Sequence, residues 1–194
     1  MTTTVTPTKK GIRCLGIAES FVKNRPKSIL VGVVMRRDLV IDGVALAKIT
    51  VGGMDATEGV LRIYRSLGRK DINFILLNGC VISWFNIIDL ERVYRETNTP
   101  LICLTYEESE GLEKYITEYF PPEDAERRLK AYKKLGNRVK LYLRRTGATV
   151  YVRALGMDIR TARMLLNAFT LSGAVPEPVR IANLIARAVL RLPD

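Results

Sequence analysis

Apolar residues in the first part of the chain fall into three runs separated by short polar breaks. Residues 12–17, 28–35 and 39–51 are rich in β-branched and other apolar side chains. The polar turn Arg36-Arg37-Asp38 joins the second run to the third, which is the pattern of a β-hairpin. We therefore predict three strands that are antiparallel neighbours.

The pattern then changes to helices that alternate with strands. Apolar residues at helical spacing follow Gly52-Gly53, and a second helix is predicted over residues 85–96. Short apolar runs at residues 73–77 and 101–105 predict buried strands on either side of that second helix. Such alternation implies parallel pairing with right-handed crossovers. Three antiparallel strands followed by α-β-α-β-α are characteristic of the ribonuclease H-like fold, so we predict a mixed α/β sheet of this kind.

The last part of the chain is predicted to add a hairpin and helices to this sheet. Because no linker divides the chain, we expect a flexible tail over residues 1–10 and a single domain over residues 11–194. The added elements are a helix capped by Ser109, a helix near 123–135, hairpin strands at 139–143 and 148–153, and helices near 158–170 and 177–190.

The amino-acid composition excludes several kinds of chemistry. Histidine is absent, which rules out Ser-His-Asp and Cys-His catalysis and histidine metal ligands. Cys14, Cys80 and Cys103 lie in apolar segments without a CxxC pair, so we expect buried, inert thiols. No apolar run could span a bilayer and no secretory signal opens the chain, so we expect a cytoplasmic protein.

Positive charge is concentrated near the C-terminus. Residues 1–125 carry 16 basic and 16 acidic side chains, whereas residues 126–194 carry 15 basic and 4 acidic ones, which accounts for the net charge of +11. A charge excess confined to one segment favours a surface for a polyanion such as nucleic acid. A generally basic, soluble surface is the alternative.

Acidic and amide side chains are predicted at neighbouring strand ends. Glu19 follows the first strand, Asp55 begins the first helix, and Asn78 follows the fourth strand. Oxygen ligands that converge there would suit Mg²⁺ or Mn²⁺, and such an ion can activate water for phosphodiester cleavage. The alternatives are that Asp55 is a helix cap with Glu58 as its capping-box partner, that Glu19 is a loop acid, and that Asn78 is a turn residue.

Two groups of basic residues are suited to phosphate contacts. Lys23, Arg25 and Lys27 lie in the loop between the first two strands, and Arg144 and Arg145 lie in the second hairpin. Trp84 could stack on a base, or it could belong to the core. Further basic residues, Arg180, Arg187 and Arg191, share one helix face, and the acidic residues Glu107, Glu108, Glu110 and Glu113 are expected to form a solvated helix start.

Several segments resemble an archaeal family called endonuclease dU, which is related to endonuclease V. The matching segments are GIAESF (16–21), VVMRRDLVIDG (33–43), VGGMDATEGV (51–60), LLNGCVISWFNIIDL (76–90) and VPEPVRIANLIARAV (175–189). The resemblance implies a ribonuclease H-like fold and metal-dependent cleavage of DNA near deaminated bases, deoxyuridine in particular. It also implies catalytic roles for Glu19, Asp55 and Asn78, with Glu19 and Asp55 as the metal ligands.

This chain departs from the endonuclease V pattern at three points. Ala18 lies closer than Glu19 to the expected position of the first acid, and Asn78 is neutral where an Asp would bind metal. The related enzymes also use a C-terminal histidine, in whose place Asn183 is the residue we suspect. These departures leave open an active or altered nuclease and a domain that only binds DNA.

Overall fold

A seven-stranded mixed sheet forms the centre of the molecule. The computed structural model describes residues 5–192. Its strands are β1 (Arg13–Ser20), β2 (Lys27–Arg36), β3 (Ile41–Thr50), β4 (Phe74–Asn78), β5 (Val81–Ile82), β6 (Asn86–Ile87), β7 (Leu101–Thr105), β8 (Val139–Leu143) and β9 (Ala148–Leu155). Its helices are α1 (Ala56–Ser66), α2 (Leu90–Thr97), α3 (Glu113–Tyr119), α4 (Pro122–Lys134), α5 (Ile159–Phe169) and α6 (Glu177–Leu190).

The order of strands in the sheet is β3-β2-β1-β4-β7-β9-β8. Strands β1, β2 and β3 are antiparallel neighbours, and β4 pairs in parallel with both β1 and β7. Strand β9 then pairs antiparallel with β7 and with β8. The predicted ribonuclease H-like arrangement of three antiparallel strands followed by parallel crossovers is confirmed.

The sheet separates two apolar layers. One face packs against α5 and α6 around Phe74, Phe169 and Val179, and the other packs against α1 and α2 around Ile63, Ile75 and Val93. A side chain at Gly16 would collide with Pro178 at the start of α6, so the glycine lets this helix approach β1 closely. Helix α6 is thereby fixed over the first strands of the sheet.

The helix predicted over residues 85–96 begins later than the sequence suggests. Ser83, Trp84 and Phe85 have φ angles of 44°, 61° and 61°, which a right-handed helix cannot contain. This segment instead forms the turn of the small β5–β6 hairpin. Helix α2 starts at Leu90, because Asp89 caps it by accepting a hydrogen bond from Arg92 N at 2.9 Å.

The prediction that Ser109 caps a helix is wrong. Its hydroxyl accepts a hydrogen bond from Gly111 N at 3.2 Å, and the glycine has a φ of 113°. Helix α3 therefore begins only at Glu113.

Two of the three cysteines form a disulfide, so the prediction of three inert thiols is wrong for this pair. Cys80 and Cys103 are bonded across 23 residues of chain, whereas Cys14 is free and buried. The bond ties the residue after Gly79 to strand β7. Sequence alone cannot pair these cysteines, because the pairing depends on β4 and β7 lying side by side.

The start of the chain contacts the domain within the described residues. Lys9 N donates to Thr6 O at 3.1 Å, and the guanidinium of Arg37 donates to Thr8 O at 2.8 Å. Residues 1–4 of the predicted tail lie outside the described residues. Within residues 5–192, no helix is long and apolar enough to cross a membrane.

Reduction of the disulfide is expected to destabilise the protein. Closing a loop of 23 residues removes chain entropy from the unfolded state, which corresponds to about 3 kcal/mol in the free energy of unfolding. Urea unfolding with and without dithiothreitol measures the difference. The double variant Cys80→Ser/Cys103→Ser should have the free energy of unfolding of the reduced protein, with or without dithiothreitol. A double variant as stable as the oxidised protein would contradict the expectation.

Candidate active site

A cleft opens where parallel strands of the sheet end. Strands β1, β4 and β7 point the same way, so their C-terminal ends lie at one edge, which is where α/β sheets bind ligands. The cleft has a volume of about 980 Å³ and lies between the ends of β4 and β7 and the segment leading into α3. Asn78, Gly79, Tyr106 and Arg138 are among the residues that line it.

Asn78 is held in place by a neutral donor. The Tyr106 hydroxyl donates a hydrogen bond of 2.7 Å to Asn78 Oδ1. Burial raises the pKa of Tyr106, so the phenol stays protonated and keeps donating. The second lone pair of this amide oxygen is left for another partner.

Glu19 lies at the end of β1, close to Asn78. Both residues line a small void between β1 and β4. Glu19 Oε1 accepts a hydrogen bond from Ser83 N at 3.2 Å, whereas Oε2 is buried and has no hydrogen-bond partner among residues 5–192. Burial raises the pKa of Glu19 and outweighs the bonds from Ser83, which act in the opposite direction. Asn183 of α6 donates to the backbone oxygen of Glu19 at 3.1 Å, so it positions the strand end.

Asp55 is held by Thr50 and Asn86, and the capping role predicted for it is wrong. It does not cap α1, because Asn86 Oδ1 accepts the hydrogen bond from Ala56 N at 2.8 Å. Both carboxylate oxygens of Asp55 accept from Thr50 N, at 3.0 and 3.1 Å, and are also bonded by the Thr50 hydroxyl and the Asn86 amide. Burial alone would raise the pKa of Asp55, but the bonds from Asn86 and Thr50 lower it below its ordinary value.

The predicted pairing of Glu19 with Asp55 at one ion stays a prediction. Asp55 lines neither the void that holds Glu19 and Asn78 nor the cleft. Within residues 5–192, no group of three or more acidic or cysteine side chains could hold a metal ion. Glu19 Oε2 and Asn78 Oδ1 have the chemistry of ion ligands, because each has a lone pair without a donor among residues 5–192, and the gap they share is too small for a water molecule. The oxygens of Asp55 already accept four hydrogen bonds, from Thr50 and Asn86.

The other acidic residues of the region have ordinary roles. Glu58 does not complete a capping box, since it pairs with Arg92 at 2.8 Å and with Arg65 at 3.0 Å. The hydrogen bond from Arg92 is the main cause of its lowered pKa. Glu107, Glu108, Glu110 and Glu113 are exposed and line the cleft. The helix start predicted for them is wrong for the first three, because α3 begins only at Glu113.

Arg128, which the sequence analysis missed, holds the strained turn at residues 83–85. Its side chain is on α4 and only 2% exposed. The guanidinium donates to Phe85 O at 2.7 Å and to Gly53 O at 3.0 Å, and also to the carbonyl of Gly52. Gly52 N in turn donates to Ser83 O at 2.8 Å. A buried cation therefore fixes the turn that bonds Glu19.

Trp84 lies in a surface aromatic cluster outside the two apolar layers. Its ring is half-buried, and the ring centroid of Tyr119 lies 5.1 Å away. The ammonium of Lys23 sits 3.8 Å from the Trp84 ring centroid, within range of a cation–π contact. Tyr119 is 46% exposed, so the cluster presents aromatic surface to solvent.

The predicted basic residues lie at the same sheet edge as the cleft. Lys23 and Arg25 occupy the loop that follows the end of β1, whereas Lys27, which the sequence predicted in this loop, is the first residue of β2. Arg144 and Arg145 lie in the β8–β9 turn, and Thr105 at the end of β7 pairs with Tyr151, three residues into β9 from its start. In the strand order the two groups flank β4 and β7 on opposite sides. The two groups thus lie on opposite sides of the cleft along this sheet edge, and none of the five residues lines the cleft itself.

Comparisons with known proteins identify relatives of this chain. A family model described as Endonuclease dU matches residues 10–190. The UPF0215 protein of Pyrobaculum calidifontis is 38% identical over 176 residues, which cover 90% of this chain and 95% of that one.

Two solved structures have similar folds. A protein of unknown function from Archaeoglobus fulgidus superposes with a TM-score of 0.79 and 30% identity, covering 93% of this chain and 99% of that one. Ciona intestinalis endonuclease V, in complex with DNA containing an inosine, superposes with a TM-score of 0.64 and 17% identity. The superposition covers 94% of this chain and 87% of the endonuclease V chain, and the likeness shows a shared fold.

Glu19→Gln is expected to stabilise the protein near neutral pH. The pKa of Glu19 is higher in the folded state than its ordinary value of 4.5, so the protonated side chain favours folding at a pH below 4.5. This contribution to stability is lost as the pH rises through the folded-state pKa. The gain of the variant should therefore be present at about pH 7 and absent at about pH 4. Urea unfolding in EDTA measures it.

Glu58→Gln is the control for this measurement. The pKa of Glu58 is lowered by Arg92, so its loss should destabilise the protein at neutral pH instead. A Glu19→Gln variant with the same change in stability at both pH values would show that the carboxylate is not buried in an unfavourable setting.

Arg128→Met is expected to lower the free energy of unfolding by roughly 3 kcal/mol, because three backbone carbonyls lose a buried donor. Trp84 is the chain's single tryptophan, so its fluorescence reports directly on the turn. The matched control is Arg127→Met, since the Arg127 side chain is 67% exposed and pairs only with Asp124 among the described residues. Equal effects of the two variants would contradict the role of Arg128.

Proposed function

The chain belongs to the endonuclease dU family, as its motifs predicted, and we propose on this basis that it is a DNA endonuclease. Its substrate is DNA that carries deaminated bases of the deoxyuridine type. The observation that carries the proposal is the position of Glu19: a buried carboxylate oxygen without a hydrogen-bond partner among residues 5–192 lines the same gap as Asn78, at the sheet edge that carries the cleft. As a nuclease of cellular DNA, the protein is expected to work in the cytoplasm.

The proposed cofactor is Mg²⁺ or Mn²⁺. Glu19 and Asn78 are the residues that would hold it, since carboxylate and amide oxygens are the ligands of hard cations. Such an ion supplies activation of a water and stabilisation of the leaving oxygen of a phosphodiester. Asp55 acts here as a positioning residue, because it fixes Asn86 and, through it, the turn that bonds Glu19.

DNA would lie along the sheet edge that carries the cleft. Lys23, Arg25 and Lys27 on one side and Arg144 and Arg145 on the other are proposed to contact phosphates, which positions the strand without reading its sequence. Trp84 is proposed to stack on a base, for which a rigid turn and an exposed aromatic cluster are suitable.

A DNA-binding protein without nuclease activity is the second candidate. It is favoured by the bonded state of Asp55 and by the neutral side chain of Asn78, which together leave one carboxylate at the candidate ion site. Both candidates predict salt-sensitive binding of DNA, and only the first predicts strand cleavage.

A nicking assay on labelled duplexes distinguishes the two candidates. We expect cleavage of uracil-containing DNA in Mg²⁺ or Mn²⁺, little cleavage of the matched thymine duplex, and none in EDTA. Glu19→Gln should reduce nicking to the EDTA level, whereas Glu58→Gln, which removes an acid of α1 that is paired with arginines, should not. Binding without nicking in either ion would support the second candidate, and the absence of both would refute both.

A further inference from the structure

A second pocket lies between the end of β1 and the end of α6. It has a volume of about 400 Å³ and is lined by the loop that follows β1 and by the last turns of the helix. Arg25 comes from the loop, and Arg187 and Arg191 come from the helix. Ser20, the residue after Glu19, also lines it. Residues far apart in the sequence thus bring three guanidinium groups to one small pocket.

Among residues 5–192, no acidic side chain balances the charge of these arginines. No acidic side chain lines the pocket, and within residues 5–192 none of the three arginines forms an ion pair. Arg25 donates to the backbone oxygen of Leu190 at 2.8 Å, which ties the loop to the helix and orients its guanidinium. All three residues are exposed, so their remaining donors are accessible.

Like charges that line one pocket repel each other, and a bound anion removes this cost. Arginine presents planar, paired donors that match phosphate oxygens. We propose that this three-arginine pocket binds one phosphate group of a nucleic-acid strand. This proposal rests on the proposed function and extends it to a specific site of backbone contact.

The location of the pocket favours a phosphate within a strand over free phosphate. The same loop carries Lys23, which covers the Trp84 ring, so the pocket and the aromatic cluster share one connecting segment. Helix α6 also bonds the backbone of Glu19 through Asn183. A phosphate held in the pocket would fix a strand beside Glu19 and beside a surface on which a base can stack.

The test is the salt dependence of DNA binding. Fluorescence anisotropy with a uracil-containing duplex in EDTA gives affinity at several salt concentrations. Arg187→Ala/Arg191→Ala should weaken binding by about tenfold and reduce the slope of log K against log salt by about one. Arg187→Lys/Arg191→Lys, which keeps the charge but loses the paired donors, should recover most of the slope and only part of the affinity.

The matched control is Arg62→Ala/Arg95→Ala. These two arginines are exposed on α1 and α2, which pack against the opposite face of the sheet from α6, so the same loss of charge should leave the slope nearly unchanged. Thermal unfolding of each variant confirms that it is folded. Equal losses in the pocket variant and in this control would overturn the proposal.

A second arm separates this proposal from the proposed function. Stabilisation of the wild-type protein by inorganic phosphate, measured as a shift in Tm that the pocket variant lacks, would support a phosphate site even if the protein bound no DNA. DNA binding and nicking that are unaffected in the pocket variant would refute the site and leave the proposed function intact. A phosphate-induced shift in Tm that the pocket variant lacks, together with a DNA affinity that the pocket variant retains, would identify free phosphate as the ligand and overturn the proposal.

Discussion

The buried guanidinium of Arg128 is the contact on which the candidate site depends. Three consecutive residues, Ser83 to Phe85, adopt left-handed backbone conformations, each of which costs about 1–2 kcal/mol for a residue with a side chain. Arg128 offsets this cost by bonding the carbonyls of Gly52, Gly53 and Phe85, which no other described side chain reaches. Because Ser83 N donates to Glu19, the turn also positions the carboxylate at the end of β1.

The same turn explains why two carboxylates that look alike in the sequence differ in the structure. Asp55 lies among donors, since Thr50 and Asn86 supply backbone, hydroxyl and amide groups to both of its oxygens. Glu19 is bonded by Ser83 alone, its Oε2 has no hydrogen-bond partner among residues 5–192, and most of the side chains around it are apolar. A carboxylate with all of its bonds made stabilises the fold, whereas one with a missing bond is available to a ligand. Of the two, Glu19 alone has this property.

The accuracy of the sequence-based predictions follows from the range of the interactions involved. Strands β1 to β4 and the final helices were predicted correctly because their apolar spacing is a local property. The first turn of the predicted helix at residue 85 was wrong, because Arg128, more than 40 residues away, imposes the left-handed turn. The capping role suggested for Asp55 failed for the same reason, since Asn86 fills it across 30 residues of chain. Glu19 and Asn78 were found because strand ends are predictable, and their void follows from the β1–β4 register.

Net charge is a poor measure of the surface that a polyanion would meet here. Many cations of the basic C-terminal part are used within the fold: Arg128 is buried, Arg138 bonds the backbone of the segment after β7, and Arg180 pairs with Glu177. Burial also lowers the pKa of Arg153. Exposed cations at the sheet edge that carries the cleft include those of the β8–β9 turn and of the three-arginine pocket, on either side of the parallel strands. Since exposed cations can replace the counterions of a phosphate backbone, their positions describe the path of a strand better than the net charge does.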